Sequence, residues 1–427
     1  MGISKIAASP MFKIDELIQI ALQNNNDLKA AEYNITLAKA RLVQAGLWAN
    51  PSIVLLNTDD RFLTNEGEYT RSAGFIQAFP ISGRIAKLKN VAKVDLAIAH
   101  AEVRNAKRLL AGLVADSYYG LLITDLRLKQ QTRLLAINKK LVKVSNNRFL
   151  AAEVSELESN TASLEYQRIL QEKQMLKSQR INQRAQLKQL LGGKILTTLK
   201  LNKSLPSLAV KLPNFHYLER QALKQRPDMQ MLKLNLSRAQ ANQQLARTER
   251  WADWTLGLAV QQSKIFVKGG EPQDPDRALT VNLAIPLPVL NGNQGKIKEA
   301  GILGTQALIK MQALKLAIQT ELASNYNQLI TLNKALQQSK NSTLLRSRNV
   351  NLASSAYKNG QISLVEVLQI QRQQNELQVV YLNMLEKYLQ ALVKLCTAIA
   401  KSNDPGLCPF LRTAALKSSS IKGNLDV

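Results

Sequence analysis

The chain is written twice, and a fold built from two copies of one unit is the tightest constraint the sequence offers. Asp15 to Leu22 (DELIQIAL), followed by Asn26-Asp27-Leu28, recurs 201 positions on as His216 to Leu223 (HYLERQAL), followed by Pro227-Asp228-Met229. Ala38, Ala40 and Ala45 then fall on Ala239, Ala241 and Ala246. Phe79-Pro80 with Gly83 resembles Ile285-Pro286 with Gly292, and Tyr118 falls on Tyr326. Phe149 to Ser155 falls on Tyr357 to Ser363, now 208 positions on, because the connecting loops differ in length. The expected organisation is an N-terminal segment 1–13, repeat one at 14–200, a linker at 201–215, repeat two at 216–400 and a tail at 401–427. The Pro206 to Pro213 stretch carries linker chemistry.

Each copy reads helix, hairpin, long helix, helix. Ile14, Leu17, Ile18, Ala21 and Leu22 lie at helical spacing, and after Asn24 to Asn26 the pattern resumes from Leu28 to Ala45, ending at Trp48 and Pro51. In the second copy Leu256, Leu258 and Val260 alternate with Gly257, Ala259 and Gln261, and Leu279, Val281, Leu283 and Ile285 alternate with Thr280, Asn282 and Ala284. That period of two predicts strands, joined across the Gly- and Pro-rich Lys268 to Arg277. Ser52 to Leu56 and Ser72 to Pro80 play the same part more weakly in the first copy.

From Arg84 to Ser145 there is no proline, nor from Lys296 to Tyr357. Each stretch predicts one helix of about 60 residues, roughly 90 Å at 1.5 Å per residue. Returning helices are predicted from Val154 to Leu191 and from Ile362 to Ala400, and such lengths imply antiparallel, coiled-coil-like packing. The fold class is therefore mainly α with a small β part. Aromatic residues make up only 5% of the 427, which agrees with a helical palette.

The hairpins separate an apolar side from a small or polar side over about ten residues, as a lipid-facing, water-lined barrel strand does. Four strands per chain cannot close such a barrel, and an open edge is not tolerated in lipid, so chains must pool strands. Three chains give twelve strands; two chains give eight, which also closes. No apolar run is long enough to span a bilayer as a helix, and no signal segment is visible in Met1 to Lys13.

At this point the residues resemble a known family, the TolC-like outer-membrane efflux ducts. The segments that carry the likeness are ALQNNNDLKAAEYN (Ala21 to Asn34), QAGLWANPSIVL (Gln44 to Leu55), QRPDMQ (Gln225 to Gln230) and IPLPVLNGNQGKIKEA (Ile285 to Ala300). They are duplicated, in order and spread over nearly the whole chain. Pro-Leu-Pro followed by Asn-Gly-Asn-Gln-Gly favours the branch serving cobalt, zinc and cadmium resistance over the drug and protein-secretion branches. The resemblance implies a homotrimer, with a twelve-stranded outer-membrane barrel on a periplasmic helical tunnel. It implies a periplasmic adaptor and an inner-membrane resistance-nodulation-division pump as partners, outer-membrane lipid as surroundings, no cofactor and no catalytic site. The N-terminal cysteine that many relatives carry for lipidation has no counterpart before Cys396.

The same resemblance places the adaptor-contacting tip at two helix-to-helix turns, Arg148 to Ser155 and Ala356 to Ser363. Phe149, Ala152, Val154 and Ser155 represent the first, and Tyr357, Gly360, Ile362 and Ser363 the second. Gly360 suits a turn needing positive φ, a freedom Ala152 does not share. Glu158 and Glu366 stand at matching positions where the resembling ducts place acids that constrict the tunnel. A trimer presents six carboxylates there, a ring that attracts and retards cations. Against this stands the plain reading of both as solvated helix-surface residues, and Gln369 replaces a second acid of some relatives.

Other residues point away from chemistry. His100 and His216 are isolated by sequence, no zinc spacing exists, and metal selectivity is expected to lie in the pump. Of the cysteines, Cys396 and Cys408, two free thiols are favoured over a bridge, because bridging needs close, correctly aimed Cβ atoms. Trp48, Trp251 and Trp254 flank the first strand of each copy, as an interfacial belt or as junction packing. Asp59-Asp60 and Glu271 to Asp276 read as ordinary loop acids. The 57 basic against 31 acidic residues leave a charge of +26. These charges are spaced along helices, with few aromatic partners for stacking, so nucleic acid is not expected. No phosphate loop, nucleophile elbow or metal-hydrolase motif points to an enzyme. The rival to a duct is a structural coiled-coil rod.

Overall fold

The structure is a computed structural model that describes residues 11–63, 67–193, 200–201, 212–266, 269–271, 273–340, 343–400 and 408. Most of the expected N-terminal segment and linker, Lys268 and all of the tail but Cys408 lie outside the described residues. In chain order the elements are β1 (Met11–Phe12), α1 (Ile14–Asn24), α2 (Asn26–Gln44), β2 (Ser52–Asp59), β3 (Tyr69–Phe79), α3 (Arg84–Leu150) and α4 (Glu156–Leu190). There follow β4 (Lys200–Leu201), α5 (Phe215–Gln225), α6 (Pro227–Thr248), β5 (Trp254–Lys264), β6 (Asp276–Ala284), α7 (Gln294–Lys340), α8 (Thr343–Lys358) and α9 (Leu364–Ile399). A single 3₁₀ turn, Asp60–Leu63, follows β2.

The chain divides into two compact units. The first combines residues 1–31, 103–229 and 314–427. Its core is helical: Leu17, Ile18 and Ala21 of α1, Val114, Ala115, Leu121, Leu122 and Ile123 of α3, Leu218 and Ala222 of α5, and Leu389, Leu395 and Ile399 of α9 are buried. Among the described residues α3 alone has a stretch apolar enough to cross a bilayer by composition, and most of that stretch is buried within the protein. The helix extends five residues past the expected Ser145, so Arg148 and Phe149 belong to its last turn and not to the connection. The second long helix is described as α7 and α8, on either side of residues 341–342.

The breaks between α1 and α2 and between α5 and α6 have local causes. Asn25 ends α1 with its N–H on Ala21 O, and its Oδ1 accepts from Leu28 N at 2.9 Å, capping α2. In the second copy Pro227 opens α6, and the residue before a proline is driven out of the helical region, so α5 stops at Gln225.

The second unit combines residues 32–102 and 230–313 and holds the four-stranded antiparallel sheet, in the order β2-β3-β5-β6. The two hairpins meet along β3 and β5, paired over 11 positions from Tyr69↔Lys264 to Phe79↔Trp254. β2 and β6 are the edges. Directly opposite residues share a face, so the register sorts the side chains. One face carries Ile53, Leu55, Phe75, Leu256, Leu258, Val260, Leu279, Val281 and Leu283; the other carries Ser52, Ser72, Gly74, Gly257, Ala259, Gln261, Thr280 and Asn282, with Val54, Leu56 and Ile76 among them, so it is small and polar mainly over β5 and β6. On that second face a Cβ at Gly74 would stand 2.7 Å from Ala259 Cβ, so β3 and β5 approach only because this residue has no side chain. Trp48 packs edge to face on Phe79, with ring centroids 6.0 Å apart, and Trp254 stands opposite Phe79 in the ladder.

Candidate functional site

The two expected turns have one backbone geometry. After α3, Ala152 N donates to Phe149 O and Glu153 N to Arg148 O, both at 2.9 Å. After α8, Gly360 N donates to Tyr357 O at 3.0 Å and Gln361 N to Ala356 O at 2.9 Å. Each pair is a Schellman motif, which satisfies carbonyls left open at a helix end and requires a left-handed residue just past it. Gly360 supplies it with φ 72 as expected, and Ala152 adopts the same conformation with φ 56. The alanine takes that conformation despite its Cβ, because the flanking hydrogen bonds over-determine it.

Each turn leads into an N-cap serine. Ser155 Oγ accepts from Glu158 N, and Ser363 Oγ from Glu366 N, at 3.3 Å in both cases. Here the copies diverge. Glu366 Oε2 closes a capping box on Ser363 N at 2.8 Å and on its hydroxyl at 3.0 Å. Those bonds, the backbone one foremost, hold the Glu366 carboxyl below its ordinary range. Ser-Leu-Val-Glu is a capping-box pattern that the sequence displayed. Glu158 instead accepts from Tyr357 Oη at 2.8 Å, tying α4 to the end of α8.

Tyr357 is fully buried, which corrects its expected part as a tip contact. It joins Leu141 of α3, Ala162 of α4 and Leu364, Val367 and Leu368 of α9 in one apolar cluster, with the half-buried Ile362 against it. Arg148 lies over its ring at 5.2 Å and reaches Glu153 Oε2 at 3.0 Å. Burial pushes the Tyr357 hydroxyl above the usual phenol range, and the hydrogen bond to Glu158 pushes the same way. The surface that remains is formed by Phe149, Ala152, Ser155, Gly360 and Ser363, which are exposed, and Val154, which is half-buried. Glu366 is exposed and Glu158 half-buried.

Sequence reasoning missed a second constellation in the same unit. Arg226, of the QRPDMQ segment, grips Asp228 at 2.7 Å and Glu321 at 2.9 Å, and its Nη1 lies 3.5 Å from Ala398 O. Arg108 donates to Thr397 O at 2.7 Å and to Asn105 Oδ1 at 2.8 Å. Two buried guanidinium groups thus serve the last carbonyls of α9, where positive charge also suits the helix dipole. Close by in sequence, Cys396 and Cys408 form a disulfide, with Cα atoms 5.6 Å apart, and this corrects the expected free thiols. A separation of 12 residues fixes no Cβ geometry, so the sequence had no means of placing the two thiols together.

No three His, Cys, Asp or Glu side chains converge as metal ligands among the described residues. His216 is exposed and lies 3.4 Å from Glu219. The loop acids are engaged locally: Asp59 pairs with Arg61 at 2.6 Å, and Asp60 Oδ1 accepts from Gly67 N at 2.9 Å.

A four-stranded sheet with one strongly apolar face and two open edges, in a chain of very long helices, is the arrangement of a channel-forming protein. The family model described as "Outer membrane efflux protein" matches residues 17–193 and 218–401, and the chain belongs to that family. It is an outer-membrane efflux channel protein and not an enzyme. It is 22% identical to the cobalt-zinc-cadmium resistance protein CzcC of Cupriavidus metallidurans, over 90% of this chain and 89% of that one. It is 26% identical to the pyoverdine export outer membrane protein OpmQ of Pseudomonas putida, over 92% and 87%. Among solved structures CusC aligns with a TM-score of 0.74 at 18% identity, covering 92% of this chain and 95% of that one. The fold class read from the sequence, mostly helical with a four-stranded antiparallel sheet, is the one observed.

Proposed function

We propose that the protein is the exit duct of a tripartite efflux system and that its cargo is heavy-metal cations. Three copies pool twelve strands into an outer-membrane barrel, with the helices of repeats 14–200 and 216–400 forming a periplasmic tunnel. An inner-membrane resistance-nodulation-division pump, acting through a periplasmic adaptor, delivers the cargo. The observation that carries the duct is the sheet itself: its β2 and β6 edges are open, and one face is apolar while the other is mainly small and polar along β5 and β6. The metal branch is supported by the likeness to CzcC along nine-tenths of the chain. The likeness to OpmQ favours a second reading, a duct for metal-chelating or drug-like organic molecules.

At the tip, the exposed Phe149, Ala152, Ser155, Gly360 and Ser363 receive the adaptor, with Val154 and Ile362 supporting the turns from below and Tyr357 fixing their spacing. Glu158 and Glu366 constrict the tunnel as a ring of acids. The deciding experiment is a deletion strain, with and without plasmid complementation, titrated against cobalt, zinc, cadmium, nickel and copper salts and a panel of hydrophobic drugs. Complemented sensitivity confined to metals is expected. Sensitivity to drugs alone discards the metal branch and keeps the duct, and a single-chain mass for the purified protein in detergent removes the barrel.

A further inference from the structure

The sheet register exposes a feature that channel formation does not use. On the apolar face, successive rungs are Phe79–Trp254, Gln77–Leu256–Leu283, Ile53–Phe75–Leu258–Val281 and Leu55–Ala73–Val260–Leu279. The large apolar side chains of the last two rungs stand bare, with Ile53 78% exposed, Leu55 76% and Leu279 72%. The next rung turns wholly polar: Asn57–Arg71–Gln262–Arg277. Beyond it comes Asp59–Tyr69–Lys264. We propose that Arg71, Arg277 and Lys264 bind the phosphate groups of lipid headgroups in the outer leaflet. The inference rests on the barrel reading above.

The position follows from the chain path. β2 begins after α2 and β3 ends before α3, so the Arg71 rung lies at the hairpin end of the strands, remote from the helix connections. In an outer-membrane barrel that end faces the external leaflet, whose glycolipids carry phosphate. Rungs on one face are about 6.8 Å apart at 3.4 Å rise per residue, so this polar rung comes directly after the hydrocarbon-facing ones. Cations here meet headgroups and not acyl chains.

The chemistry fits phosphate. Arg71 is oriented by its Nε bond to Asn57 Oδ1 at 3.1 Å and by its stacking on Tyr69 at 4.8 Å, which leaves most of its five donors for a ligand. Arg277 is exposed and has no partner among the described residues. It stands two strands from Arg71, roughly 10 Å away at the strand spacing, so the two can serve separate phosphates of one headgroup. Lys264 Nζ lies over the Phe266 ring at 5.9 Å. Asp59, the one acid on these two rungs, is already paired with Arg61, and Asp276 points to the opposite face, across from Ser263. Asp59 also feels the charge of Arg71, but with Arg61 as its ion-pair partner it leaves this end of the face with a net positive charge.

The test uses the purified full-length protein in detergent, titrated by native mass spectrometry with bisphosphorylated lipid A, dephosphorylated lipid A and inorganic phosphate. Bisphosphorylated lipid A is expected to bind roughly tenfold or more tightly than the dephosphorylated form, since each basic residue at an anionic leaflet contributes about fivefold. The triple variant R71Q/K264Q/R277Q loses that preference, and R71K/R277K keeps most of it. Equal binding of the two lipids, or equal binding by wild type and triple variant, overturns the proposal. Displacement by millimolar inorganic phosphate overturns the lipid assignment in favour of a free-anion site. If the triple variant does not assemble, the wild-type comparison of the two lipids and the Lys variant decide. A single-chain mass sinks the barrel reading, whereas an assembled protein without phosphate preference sinks only this inference.

Discussion

Asn25 and Arg226 lie 201 positions apart and reach carbonyls that lie 208 apart: Asn25 Nδ2 donates to Leu190 O at 3.1 Å, and Arg226 Nη1 stands 3.5 Å from Ala398 O. Both residues break a helix pair, and both secure the end of the returning helix of their own copy, one with an amide and one with a charge. The charge brings the obligation to satisfy Asp228 and Glu321 as well. Replacing Arg226 with Ala leaves the half-buried Asp228 with only the longer, 3.5 Å contact to Arg108 as an ion pair and is expected to cost about 3 kcal/mol, whereas Asn25→Ala costs about 1 kcal/mol. Thermal unfolding followed by circular dichroism reads the difference, and equal effects would show that the ion pairs add nothing over the helix-end bond.

Acid should act through the same group. Burial alone would raise the Asp228 carboxyl, but the hydrogen bonds and charge of Arg226 outweigh it and hold the group below its ordinary range. A carboxyl depressed in the folded state stabilises the fold above its unfolded value of about 4, and that contribution drains as pH falls through the lower folded value. Asp228→Asn is therefore expected to lower the midpoint at pH 7 and to flatten the fall in stability below about pH 4. A variant as acid-sensitive as the wild type would assign the acid limb to other groups.

Ala152 holds φ 56 where its counterpart Gly360 holds φ 72. Ala152→Gly should stabilise the protein by about 1 kcal/mol, and Gly360→Ala should destabilise it by a similar amount. The double variant A152G/G360A should fall near the wild type, provided the turns act independently. Urea midpoints of all three variants check the sign at each site.

The disulfide closes a separation of 12 residues, and both sulfurs are buried. Native protein should resist thiol labelling and take up two labels only after unfolding in reductant. The C396S/C408S variant should lose about 2 to 3 kcal/mol, the range expected for so short a loop. Thiol labelling of the native protein without reductant would show an open bridge.

For the acid ring, E158Q/E366Q in planar bilayers should lower cation-over-anion permeability, read as a shift in reversal potential under a salt gradient. Glu366 also closes the capping box on Ser363, so E366Q keeps the hydrogen-bonding shape while removing the charge. An unmoved reversal potential would return both acids to ordinary surface roles.

Period and spacing made the architecture legible. Alternation from Leu256 and from Leu279 located β5 and β6, and the proline-free stretches located α3 and α7. What escaped was set by three-dimensional partners. Tyr357 was placed at the tip by the resemblance alone, and nothing in its sequence neighbours shows that α3, α4 and α9 close over it. Ala152 gave no sign of a left-handed turn, since the need comes from hydrogen bonds and not from the residue. Arg226 was noticed as part of a segment, but its role needed Glu321 and Ala398, which lie 95 and 172 residues away.

The two open edges of the sheet have a consequence for the life of the chain before it functions. β2 and β6 each offer a row of unpaired backbone groups eight or nine residues long, beside bare apolar side chains. A newly exported single copy is thus an adhesive object, ready to pair with any strand it meets. Its escort must cover those edges until partner copies arrive, and pairing between copies and entry into lipid have to be nearly simultaneous.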